Sequence, residues 1–92
     1  MFTSLDTEYG GRAIRVTNHW ILGLRLYIDG GLVARRIKPF HLNRYEPLVE
    51  EELATDEGIV TLRVFVEAIE TIKIALMVDD EVIATTHPEA VA

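Results

Sequence analysis

The sequence predicts an all-β domain, a small antiparallel β-sandwich or flattened barrel made of two similar three-stranded meanders. Three observations predict it. Apolar and polar residues alternate along several separate stretches. Short polar turns separate those stretches. The pattern of the first half recurs in the second at an offset of 50 residues.

The alternation has a period of two, which places each apolar series on one face of a strand. Ile14 and Val16 alternate with Arg15 and Thr17, and Leu24, Leu26 and Ile28 alternate with Arg25 and Tyr27. In the second half Val60, Leu62, Val64 and Val66 alternate with Thr61, Arg63, Phe65 and Glu67. Ile72, Ile74, Leu76 and Val78 do the same with Lys73, Ala75 and Met77. The β-branched content of these runs suits a pleated, half-buried surface.

The repeat is clearest around two hairpins. Leu26-Tyr27-Ile28-Asp29-Gly30-Gly31-Leu32-Val33-Ala34 matches Leu76-Met77-Val78-Asp79-Asp80-Glu81-Val82-Ile83-Ala84 by residue class. Residues 12–17 and 62–67 correspond at the same offset, so each half reads as a three-stranded meander, over residues 12–37 and 58–86. Glycine supplies the positive φ that a tight hairpin needs at Asp29-Gly30-Gly31. Aspartate tolerates that region better than most residues, which suits Asp79-Asp80-Glu81.

Residues 38–57 link the halves. Pro39 and Pro47 argue against a central strand there. Residues 47–54 are expected to form a short helical turn, with Pro47 in its first turn and Glu50, Glu51 and Glu52 near its start. The alternative is an edge strand with a charged outer face. Residues 1–10 and 87–92 read as frayed ends. Two meanders with one apolar face each bury those faces best against each other, within a single domain over residues 1–92.

The Tyr27-Ile28-Asp29-Gly30 run resembles the repeated Tyr-Val-Asp-Gly hairpins of the Fas apoptosis inhibitory molecule family. The resemblance covers about ten residues in each half. It implies hairpins and carries no functional residue with it.

Composition narrows the classes of function. Hydrophobic residues make up 49% and charged residues 26% of the 92, which is globular and not disordered. The chain has no cysteine, so disulfides, thiolate metal sites and cysteine nucleophiles are excluded, and a reducing cytoplasm is favoured. The start lacks a basic region followed by an apolar run, so no signal peptide is expected. No apolar stretch approaches the roughly 20 residues that span a bilayer, so no membrane association is expected.

The net charge of −6 opposes general binding to nucleic acid, which depends on neutralising phosphates. The charge is unevenly distributed. Residues 1–46 carry seven basic and four acidic residues, a net of +3, whereas residues 47–92 carry two and eleven, a net of −9. Such asymmetry suits self-association or steering of a partner, unless the halves intermingle and the field cancels.

No catalytic constellation is legible. The only serine, Ser4, falls in the expected N-terminal tail, and a triad needs its members on a rigid frame. An enzyme is therefore not expected, nor a cofactor. His19, His41 and His87 show no helical spacing for zinc. Asp79-Asp80-Glu81 and Glu50-Glu51-Glu52 lack the alternating spacing of a calcium loop. Gly10-Gly11 and Gly30-Gly31 are turn formers and not a phosphate cradle.

Two surfaces remain. The outward face of the second meander carries Phe65, Ala75 and Met77 on adjacent strands, and that of the first carries Tyr27. Exposed together, these residues mark a protein interface; the linker folding over them is the competing reading. The second surface is the basic loop of residues 35–45. Its Arg35, Arg36, Lys38 and Arg44 interleave with Phe40 and Tyr45 and could hold an anion or stack on single-stranded nucleic acid. The simpler reading lays those arginine stems over apolar surface. The expected function is thus a non-enzymatic protein-interaction or self-assembly module, with a protein partner that includes a second copy as a homodimer. Anion or nucleic-acid binding through the basic loop is the alternative.

Overall fold

The structure is a computed structural model that describes residues 2–19, 23–36, 47–68 and 72–86. Among them are eight strands and no helix. The strands are β1 (Phe2–Tyr9), β2 (Arg12–His19), β3 (Gly23–Ile28), β4 (Gly31–Arg36), β5 (Val49–Thr55), β6 (Gly58–Ala68), β7 (Ile72–Val78) and β8 (Glu81–Thr85). They form two antiparallel four-stranded sheets, in the orders β1-β2-β3-β4 and β5-β6-β7-β8.

Each sheet has one strand more than the expected meander, and in each it is the first. β1 lies where a frayed end was expected. It pairs with β2 along its whole length, from Phe2 opposite His19 to Tyr9 opposite Arg12. Leu5, Thr7 and Tyr9 are half-buried while Ser4, Asp6 and Glu8 are exposed. Threonines on the inward side hide this period from a purely apolar count.

β5 replaces the expected helical turn over residues 47–54. Val49 and Leu53 are buried, while Glu50 and Glu52 are exposed. A spacing of four residues fits one face of a helix and also one face of a strand. The ladder to β6, from Val49 opposite Val64 to Thr55 opposite Gly58, decides for the strand. β5 lies at the sheet edge, where charged side chains can face solvent.

The two sheets share their hydrogen-bonding scheme. Asp29 and Asp79 both have positive φ, 51° and 54°. Each donates its backbone N–H to the second strand of its sheet, to Ala13 O on β2 and Thr61 O on β6, both at 2.8 Å. Each accepts the N–H of that same residue on Oδ1, at 2.9 Å and 3.0 Å. Both ladders then shift register at the last strand, after Leu26 and after Leu76. Ala13 and Thr61 are therefore equivalent, so β2 and β6 correspond at an offset of 48, in place of the 50 read from residues 12–17 and 62–67. The two additional residues lengthen the β6–β7 hairpin.

Inward side chains of both sheets meet in one buried cluster, which includes Ile14, Val16, Leu24 and Leu26 from the first and Leu62, Val64, Ile74 and Leu76 from the second. β1 runs beside β8 and β4 beside β5. At the turns the sheets touch directly. Asp56 N–H donates to Gly10 O at 3.0 Å, and Arg12 Nη1 donates to Ala54 O at 2.6 Å. A Cβ on Gly10 would lie 2.5 Å from Thr55 Cβ, so this approach, with a φ of 54°, requires glycine.

Candidate functional site

Strand pairing sorts the side chains that face away from the core into rows. In the first sheet Asp6, Arg15, Tyr27 and Leu32 lie in register across β1 to β4. In the second, Glu50, Arg63, Met77 and Val82 occupy the equivalent row. Each row holds an acid, an arginine and two apolar-bodied side chains. Each acid pairs with its arginine, Asp6 with Arg15 at 2.6 Å and Glu50 with Arg63 at 2.8 Å. The hydrogen bond from each arginine to its carboxylate raises the guanidinium pKa above its ordinary value.

The next row differs between the sheets. In the second it reads Phe65, Ala75 and Thr85. In the first it reads Ser4, Thr17, Arg25 and Arg35. An apolar row on one sheet is thus a polar, cationic row on the other.

The expected interface residues divide accordingly. Phe65, Ala75 and Met77 lie together on the second sheet, with Phe65 opposite Ala75 and Met77 one row away. Phe65 and Met77 are half-buried, and Ala75 is buried at 8% exposure. Tyr27 belongs to the other sheet, between Arg15 and Leu32, and does not join them. Large apolar residues that the alternation did not single out are more exposed: Ile59 at 73%, Leu32 at 52%, and also Val33 and Val82. Their signal in the sequence is adjacency. In Leu32-Val33, Ile59-Val60 and Val82-Ile83, two neighbouring apolar residues cannot both face the core of a regular strand.

Of the expected anion-binding residues, Lys38 and Arg44 lie outside the described residues. Arg35 and Arg36 end β4, where Arg35 faces Arg25 and Arg36 faces Leu24, on opposite sides of the sheet. Arg25 is therefore the closer companion of Arg35. Arg25 Nε is buried without a hydrogen-bond partner. Among the described residues neither Arg25 nor Arg35 has an acidic partner. Arg15, Thr17, Arg25, Tyr27, Asp6 and Glu8 are among the residues that line an open depression of about 760 Å³. Ser4, expected in a tail, stands in β1 opposite Thr17.

Other polar clusters hold the fold. Arg12 Nε donates to Asp29 Oδ2 at 2.5 Å, tying the β3–β4 turn to the start of β2. The Ala13 N–H first, and then Arg12, hold the Asp29 carboxyl below its ordinary pKa. Among the described residues no three His, Asp or Glu side chains converge as a metal site. No helix there is long and apolar enough to cross a membrane.

The arrangement separates charge in space. The described part of the first sheet carries five arginines and three acids, a net of +2, while that of the second carries two bases and nine acids, a net of −7. The halves do not intermingle, because each forms its own sheet. Compared with family models, curated proteins and solved structures, the chain matches none.

Proposed function

We propose that the protein is a non-enzymatic interaction module that associates with itself. It acts as one domain, a small sandwich that arose by duplication of a four-stranded unit, and its lack of cysteine fits a reducing cytoplasm. The observation that carries the reading is the segregation of charge onto two sheets, each with an outward face holding apolar side chains. On the second sheet these are Phe65, Met77 and Val82, and on the first they are Tyr27 and Leu32.

Charge selects the geometry. Two second sheets face to face would oppose −7 with −7. A second sheet on the first sheet of a neighbour sets acid against arginine. That contact is heterologous, so a dimer is the first step of assembly, which continues to a closed ring or an open filament. Complementary charge of this kind speeds encounter and is weakened by salt.

Light scattering coupled to size-exclusion chromatography tests this. The expected result is a mass that rises with protein concentration at low salt and falls towards the monomer at high salt. Phe65→Arg combined with Met77→Glu, both on half-buried outward positions, should leave a folded monomer. A wild-type monomer at every salt concentration, or assembly unchanged in the double variant, refutes the reading.

A further inference from the structure

We infer that Arg25 and Arg35, with the Thr17 hydroxyl beside them, form a binding site for a phosphate monoester group on the outward face of the first sheet. The inference goes beyond self-association and does not depend on it.

Arg25 and Arg35 are direct cross-strand neighbours. Side chains so placed have Cβ atoms about 5 Å apart, and like charges there repel. The second sheet avoids this by placing Ala75 and Thr85 at the equivalent pair. The first sheet keeps the repulsion and adds a second unfavourable feature, the desolvated Nε–H of Arg25 with no acceptor. Arg15, one row away, is already neutralised by Asp6 at 2.6 Å. Among the described residues no acid pairs with Arg25 or Arg35, although Asp6 and Glu8 line the adjoining depression. Both defects are removed by one event, the arrival of an anion with several acceptor oxygens.

The donors favour a particular anion. Two guanidinium groups offer two planar forks, and Thr17 adds a hydroxyl opposite Arg25. A carboxylate fills one fork. A phosphate monoester, with a charge approaching −2 and three free oxygens, can engage both forks and the hydroxyl. The depression beside the row, lined by Tyr27, Arg15, Asp6 and Glu8 among others, leaves room for what the phosphate is attached to.

The test is titration calorimetry on dilute protein in a chloride buffer, with inorganic phosphate, O-phosphoserine and a single-stranded oligonucleotide as separate probes. Inorganic phosphate and phosphoserine should each bind saturably at one site. Arg25→Gln and Arg35→Gln should each weaken this about tenfold or more, since each removes charged hydrogen bonds. Arg63→Gln, on the other sheet, should leave binding unchanged. Phosphate should also raise the melting temperature of the wild type more than sodium chloride of equal ionic strength does. Without phosphate, Arg35→Gln should melt no lower than the wild type, because it relieves the repulsion. Absence of saturable binding, or binding equal in the arginine variants, overturns the site. Tighter binding of the oligonucleotide than of phosphoserine overturns the monoester assignment. All these readouts are taken on monomer, so they stand or fall separately from the scattering experiment.

Discussion

The two sheets of this protein use one framework for different surfaces. Both run in the same strand order, both close their third turn on an aspartate with positive φ, and both shift register at the same place in the last pairing. Both keep an acid–arginine ion pair at the same outward position. They diverge in the neighbouring row, Thr17–Arg25–Arg35 against Phe65–Ala75–Thr85, and in net charge. Backbone hydrogen bonds and the inward apolar series define the sheet. The outward rows contribute little to it, so they can change sign and polarity without loss of the fold. The comparison therefore places the main differences between the two sheets on their outward rows.

The largest test of equivalence is in the core. Leu26 and Leu76 are fully buried at matching positions. Leu26→Ala and Leu76→Ala should each lower stability by about 2–5 kcal/mol in denaturant unfolding. Both should unfold in a single transition, because the two sheets share one cluster. Two separate transitions would break the comparison by making each sheet its own folding unit.

A smaller effect is expected where the inward faces differ. Asn18 is 1% exposed on the inward face of β2, and neither of its amide atoms has a hydrogen-bond partner. Its equivalent at the offset of 48 is Val66, opposite Ile74 as Asn18 is opposite Leu24. Asn18→Val should therefore raise stability, and Val66→Asn should lower it, each by about 1–3 kcal/mol. A loss of stability in Asn18→Val would show that the asparagine is held by a partner, and would set the sheets apart at this position.

The smallest effect concerns the turns. Asp29 and Asp79 accept the same backbone bond, yet only Asp29 also holds an arginine on its carboxylate. The folded-state pKa of Asp29 is lowered below the ordinary 3.8, chiefly by the Ala13 N–H and then by Arg12. The stability this contributes is fully present above that ordinary value and is lost as pH falls through the lower folded value. Asp29→Asn keeps an acceptor for Ala13 N–H and removes the titration. Its unfolding free energy should fall less steeply than that of the wild type as pH drops below about 4. Parallel curves would mean that Arg12 and Ala13 do not act on the carboxylate in solution.

Several features were legible in the sequence because they depend on near neighbours. The four strongly alternating stretches became β2, β3, β6 and β7, and the Asp29-Gly30 and Asp79-Asp80 turns lie where the polar breaks indicated. β1 was not legible as a strand, and β5 was legible only as the alternative to a helical turn. Thr3 and Thr7 dilute the inward period of β1, and the Val49–Leu53 spacing fits either kind of element. The candidate site was legible only in part. Arg35 was singled out among its chain neighbours Arg36, Lys38 and Arg44, while its physical neighbour Arg25 lies ten residues earlier, across the β3–β4 hairpin.

The sequence by itself determined that this chain is all-β and carries opposite net charge in its two halves, since periodicity, turn chemistry and composition are local or additive properties. Only the tertiary structure decided that each half closes as its own sheet, that Tyr27 is parted from Phe65, and that Arg25 meets Arg35. Those outcomes depend on which backbones pair and in what register. A shift of one residue in pairing turns every side chain of a strand to the other face.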